Sequence, residues 1–163
     1  MDSLLNYHVN QLTKSKVHLS KVSNINNHIS TTELSEGRVN WTTEFDSFRA
    51  IASINKPIHS SSYNIKVDAD KKSNLLVKTW QTEQKLPLKK LKIYFLKDYS
   101  RIKRLEASVE QHNFVFSSTK EFSIDFSVLG MHPIIDLYRI SGYQKFFWEE
   151  PQYFSLEGHI HIK

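Results

Sequence analysis

Over residues 75–162, apolar and polar side chains alternate through one segment after another, a period of two that points to an antiparallel β-meander. The pattern is clearest where Phe114, Phe116, Phe122, Ile124 and Phe126 share one parity. Val115, Ser117, Thr119, Glu121, Ser123 and Asp125 share the other. One face is then apolar and the other wet, as in an antiparallel sheet covered on one side only. Lys120 interrupts the apolar parity, implying a bend there or an ammonium that reaches out from the rim.

The segment before this one carries a phase slip. Leu91, Ile93 and Phe95 fall on one face, and after a turn at Asp98-Tyr99 the apolar residues are Ile102, then Leu105, Ala107 and Val109. One extra residue, at Lys103 or Arg104, sets Phe95 opposite Ile102 and Ile93 opposite Leu105, which is a β-bulge. The last two strands are expected over 135–148 and 152–162, joined by a Glu149-Glu150-Pro151 turn, with Phe154, Leu156, Ile160 and Ile162 alternating. Gly142 and Gly158 inside those strands mark a bend or a closely packed neighbour. Upstream, Tyr63, Ile65 and Val67 alternate, as do Leu76, Lys78, Trp80 and Thr82, which turns Trp80 inward. A polar strand pair precedes these, with Val17 and Leu19 in one run, Ile29 and Thr31 in the next, and a turn-rich connection over 23–27.

Two segments depart from the period of two. Ser3 is placed to cap a helix in which Leu4, Leu5, Val9 and Leu12 form one stripe. Behind Asn40 as an N-cap, Trp41, Phe45, Phe48 and Ala52 recur at helical spacing, with Glu44 in the first turn and Pro57 beyond the end. Both stripes need an apolar surface, and the sheet supplies one. The expected fold is therefore α+β: a single domain over 1–163 built as one curved, half-barrel-like antiparallel meander with the N-terminal helices on its apolar face. A chain of 163 residues suits this, since a domain of that size buries roughly 68–70% of its unfolded surface.

Composition narrows the function classes. The chain has no cysteine, which excludes disulfides, thiolate catalysis and cysteine–zinc sites. Apolar runs such as Leu75-Leu76-Val77 are far short of a membrane span. There is no nucleophile elbow, phosphate loop or RNP-type segment, so no catalytic residue, cofactor or specific nucleic-acid partner is assigned. The net charge of +5 is uneven: Lys85, Lys89, Lys90, Lys92, Lys97, Arg101, Lys103 and Arg104 stand against Asp98 alone between 85 and 104. That basic hairpin would attract phosphate or anionic headgroups, but a solvated face or a charged edge that discourages aggregation also accounts for it and is preferred.

His159-x-His161, with Glu157 on the same parity, is the sharpest chemical feature. Alternate strand positions turn all three side chains to one side, a beginning of a zinc site. A third firm ligand is missing, so no metal is assigned. Asp68-x-Asp70 opens like a calcium loop but lacks the glycine and the terminal glutamate. Glu149-Glu150 and Asp68/Asp70 sit in turns, where adjacency does not place two carboxylates across a cleft. Tyr94, Tyr99, Tyr143, Lys145, Phe147 and Trp148 interleave aromatics with cations as a stacking platform would, although strands favour aromatics for packing alone.

The segments Ser53-Ile54-Asn55-Lys56-Pro57, Ser62-Tyr63, Leu137-Tyr138-Arg139-Ile140-Ser141-Gly142-Tyr143-Gln144-Lys145 and Ser155-Leu156-Glu157-Gly158 together resemble uncharacterised Bacteroidetes lipoproteins. In that family an N-terminal helix, a tryptophan-led helix ending in Asn-Lys-Pro and a long meander follow one another. The resemblance implies export by a signal peptide since removed, a lipid anchor outside this chain as the means of membrane attachment, and a domain facing the periplasm. It implies no catalytic residues. The architecture also resembles lipoprotein-carrier half-barrels in which helices plug an apolar cavity. The expected function is a non-enzymatic cell-envelope domain that binds an apolar small molecule or a protein partner; the alternative is a hydrolase or metal-dependent enzyme acting on envelope polymers.

Overall fold

The structure, a computed structural model, describes residues 2–59, 61–96, 101–129 and 132–162. Its strands are β1 (Val17–Ile25), β2 (His28–Leu34), β3 (Asn64–Ala69), β4 (Leu76–Gln81), β5 (Leu88–Phe95), β6 (Ile102–His112), β7 (Phe116–Leu129), β8 (His132–Phe146) and β9 (Gln152–Ile162). All pair antiparallel in one sheet of order β2-β1-β9-β8-β7-β6-β5-β4-β3. From β3 to β9 every strand lies beside its sequence neighbour. The N-terminal hairpin then adds to the far side, with β1 against β9 so that Leu19 faces Ile160 and Val17 faces Ile162.

Two parts of the sequence expectation are overturned. The sheet is open: β2 and β3 form its two edges and do not meet, so it is neither a barrel nor a half-barrel. The class is β-dominated rather than α+β, with 56% of the described residues in strands and 20% helical. The helical part shrinks because, among the described residues, only α1 (Asp2–Lys14) is a regular helix of any length. Ser3 lies inside its first turn and is not its cap. The expected second helix is a single turn, α2 (Trp41–Glu44), followed by a 3₁₀ helix over Asp46–Asn55. Asn40 does cap the turn, its Oδ1 accepting from the Thr43 N–H at 3.2 Å. Beyond it the apolar residues Phe45, Phe48, Ile51 and Ile54 recur every three positions. A helix of three residues per turn, unlike an α-helix, lines them along one edge.

That edge faces the sheet. Phe45, Phe48 and Ile51, together with Leu5 and Leu12 of α1, pack on Leu19, Leu105, Ile124 and Tyr138. Phe48 meets Phe122 and Tyr138 ring to ring, and Phe45 meets Tyr138. Side chains, several of them wholly buried, fill the centre of the space between helices and sheet, and at its margin an open depression of about 860 Å³ is lined by Asn6, Arg49, Lys56, Pro87 and Val109.

Strand details follow the alternation. In the β5–β6 pairing Ile93 stands opposite Leu105 and Phe95 opposite Ile102, leaving Lys103 as the extra bulged residue. The same pairing also slips between Leu88 and Lys90, and a third irregularity, between Asp125 and Phe126, leaves Asp136 of β8 unpaired in the register, where Ile134 and Ile135 are both buried. Lys120 causes no slip: the register runs through it opposite Val109 and Gly142. The β1–β2 turn is tighter than the sequence implied. It is Asn26-Asn27, both with positive φ (47° and 70°), the geometry of a two-residue hairpin turn for which asparagine is suited. The turn predicted at Asp98-Tyr99 lies outside the described residues.

Candidate functional site

The face of the sheet away from the helices carries a ladder of charged and polar side chains. It starts at the β2 edge, where Glu33 accepts from His18 and from the Ser20 hydroxyl, the latter at 2.8 Å. These bonds, with Ser20 as the larger influence, hold the Glu33 carboxyl below its usual range. His18 stands opposite His161 in the β1–β9 register, and His161 stacks with His159 at 6.3 Å. His159 bonds Glu157 at 2.6 Å. Arg139 then bridges Glu157 to Asp125. Asp125 also binds Arg104, and Glu106 accepts from the Tyr94 hydroxyl at 2.8 Å. Burial and that carboxylate push the Tyr94 phenol up to about 12.

The ladder accounts for the His159-x-His161 motif. The structure brings His18, a residue the sequence reading did not select, beside His161. The signal lay in the shared parity of His18 and Ser20 on a strand whose partner could not be read from sequence. Among the described residues no group of three His, Cys, Asp or Glu is arranged to hold a metal ion. The arginine on Glu157 lowers its carboxyl below the ordinary value, with a smaller contribution from His159, so this acid serves an ion pair.

On the helix-facing side, Lys21 Nζ bonds both oxygens of Glu44 at 3.0 and 3.1 Å, and the Tyr138 hydroxyl donates to the same carboxylate. Burial, then Glu44, raises the Tyr138 phenol. The triad ties β1, the end of α2 and β8 together. His8 of α1 is also buried, at 1% exposure, against Phe126 with ring centroids 5.0 Å apart. Its Nδ1 has no hydrogen-bond partner, and burial lowers its pKa from 6.5 to about 4. Helical spacing already put position 8 beside Leu5, Val9 and Leu12, so the signal was present but a polar residue was not read as core.

The remaining predicted residues scatter. Asp70 accepts from Ser73 at 2.6 Å in the β3–β4 turn, which lowers its carboxyl, while Asp68 is exposed on β3. Glu149 and Glu150 are exposed in the β8–β9 turn. The basic hairpin divides: Arg104 is paired with Asp125, Lys89 donates to the Gln84 carbonyl, Lys90 and Lys92 lie on the ladder face, and Lys97 lies outside the described residues. Of the proposed aromatic platform, Tyr99 lies outside the described residues, Tyr94 belongs to the ladder, and Tyr143 meets Tyr153.

Phe147 and Trp148 belong to a different feature. The β1–β2, β6–β7 and β8–β9 turns lie at the same end of the sheet, linked by backbone bonds from Asn26 to Tyr153 and from Phe147 to Val115. Phe114, which the alternation assigned to the apolar face, is instead 92% exposed in the β6–β7 turn, stacked on Phe147 at 6.4 Å. Phe146 stacks on Trp148 at 5.7 Å and meets Phe116 at 5.1 Å. Phe147 is 78% and Trp148 68% exposed, and Ile25, Ile29 and Tyr153 of the neighbouring strands are also exposed. Near the rings, Lys145 stands against Glu149 and Glu150, so the cluster carries no excess of positive charge.

Comparison of the chain with protein-family models, with curated proteins and with solved structures finds no match. The site is therefore argued from its own residues.

Proposed function

We propose that the protein is a non-enzymatic binding domain that makes its contact through the aromatic end of the sheet, and that the contact is with the interfacial layer of a lipid bilayer. The observation that carries this reading is the group of Phe114, Phe147 and Trp148, more than two-thirds exposed and yet stacked across two adjacent turns. Large exposed apolar patches mark interaction surfaces. Phe and Trp on turn tips at one end of a sheet present a rim to a flat partner, and aromatic rings partition into the headgroup layer. The resemblance to envelope lipoproteins fits a domain held beside a membrane. The centre of the space under the helices is packed with side chains, the depression at its margin is open to solvent, and the strongly perturbed groups, His8, Tyr94 and Tyr138, are explained by packing or by bonded neighbours. Transfer of the three rings from water supplies several kcal/mol, on the order of 25 cal/mol per Å² of apolar surface.

The test is cosedimentation with phosphatidylcholine vesicles. Wild-type protein is expected to bind, with a blue shift of Trp148 emission and little dependence on salt, and Phe114→Ser/Trp148→Ser is expected to stay in the supernatant. Absence of wild-type binding, or binding retained by the double variant, overturns the reading. Self-association of the wild type without lipid, lost in the double variant, would assign the aromatic end to a second copy of the chain instead.

A further inference from the structure

We infer that the ladder face at the β3 side of the sheet holds an oxyanion-binding groove, selective for a phosphoryl group, along β4. The register defines it. Lys66, Thr79 and Lys92 form one row across β3, β4 and β5, and Asn64, Gln81 and Lys90 form the next. All six point away from the helices, because Trp80, Leu91 and Ile93, at the alternate positions, pack against the core. Strands lie about 4.8 Å apart and same-face rows about 7 Å apart, which places Lys66 about 10 Å from Lys92 with a threonine hydroxyl on the floor between them. Two lysine side chains of that separation converge on one tetrahedral anion. Two contiguous depressions, of about 390 and 280 Å³, share Lys66, Thr79 and Gln81 and make the floor a continuous trough.

Charge accounting picks out the same place. In the middle of this face cations are matched to acids: Arg139 to Glu157 and Asp125, and Arg104 to Asp125. Lys66, Lys90 and Lys92 form no ion pair among the described residues. The acids within reach are engaged or at the margin. Glu106, opposite Lys92, accepts from Tyr94 and lies 3.9 Å from Arg104. Asp68 and Asp70, the latter accepting from Ser73, line one end of the trough beside Lys71, and Glu83, which takes a bond from Gln81, lines the other, so the lysines outnumber the acids by one. Three unpaired ammonium groups around hydroxyl and amide donors make a site for an anion with several acceptor oxygens, and a phosphomonoester fits that donor set. The anion is either a free organic phosphate or the headgroup of a phospholipid.

The test uses the ¹⁵N-labelled full chain titrated with inorganic phosphate and with glycerol 3-phosphate. Saturable shifts centred on Lys66, Thr79, Gln81 and Lys92 are expected. Affinity should fall about tenfold or more in Lys66→Gln and Lys92→Gln, each of which removes a charge-assisted hydrogen bond. Lys145→Gln, outside the groove, should bind like the wild type. A parallel arm compares phosphatidylcholine vesicles with and without phosphatidic acid in the Phe114→Ser/Trp148→Ser background, which separates the groove from the aromatic end. Saturation by the soluble ester supports a small-molecule ligand. A response only to phosphatidic acid, lost in Lys66→Gln, supports a headgroup. Shifts spread over all lysines, or unchanged affinity in both groove variants, would overturn the proposal.

Discussion

The ring of Tyr138 occupies the space that a side chain at position 158 would need: the two residues face each other across β8 and β9, and a Cβ built on Gly158 would overlap the phenol. The glycine is therefore a packing requirement, and the ring it admits reaches the Glu44 carboxylate that also holds Lys21.

Gly158→Ala is expected to lower unfolding free energy by about 1–3 kcal/mol through overpacking. The loss should shrink when the ring is removed in a Tyr138→Leu background, since residues in contact are coupled. Urea denaturation of the four proteins measures the coupling, and additive effects would place the ring elsewhere.

His8 predicts a pH dependence. Its folded-state pKa, about 4, lies below the unfolded value of 6.5, so the unfolded chain binds the extra proton as pH falls. The stability associated with the neutral ring is complete above 6.5 and is lost progressively between pH 6.5 and 4, a change of about 3 kcal/mol at most. In His8→Phe that part of the acid dependence should vanish, as read by thermal melts across the range.

Phe48 is fully buried among Phe45, Phe122 and Tyr138. Phe48→Ala should cost about 3–5 kcal/mol, and Trp41→Ala, at 5% exposure on the rim of the same cluster, a similar amount. An unchanged denaturation midpoint in Phe48→Ala would remove the 3₁₀ segment from the core, and one in Trp41→Ala would remove the α2 turn from it.

Deleting Lys103 should be tolerated, as Lys103→Ala should be, whereas deleting Glu106 from the same strand should not. Without Lys103, Ile102 and Leu105 stand two positions apart and keep their places opposite Phe95 and Ile93, whereas loss of Glu106 turns Leu105 and Val109 to opposite faces and puts the burial of one of them, about 1.5–3 kcal/mol, at stake. The alanine substitution keeps the bulge and should be nearly silent.

Asp125 binds both Arg104 and Arg139 on the solvent-facing ladder. Because both arginines are exposed, Asp125→Ala is expected to cost no more than about 1 kcal/mol, and less as salt is raised. A loss several times larger would mean the ladder organises the sheet rather than decorating it.

What the sequence alone determined was everything with a local period. The alternation after position 75 marks the strands, the slip between Ile102 and Leu105 locates a bulge at Lys103 or Arg104, and Asn40 caps a helical turn, because strand parity and capping depend on residues a few positions apart. Tertiary structure decided the rest. Nothing in β1 names β9 as its partner, so the meeting of His18 with His161 and the openness of the sheet arise only when the ends of the chain come together. Position 8 holds a histidine that the helix places in the core, the 3₁₀ path puts Ile51 there in preference to Ala52, and the tight turn carries Phe114 out into solvent. In each case parity tells which residues share a face. Which face is covered, and where a strand stops, depends on surfaces distant in sequence, because burial is a property of the assembled chain.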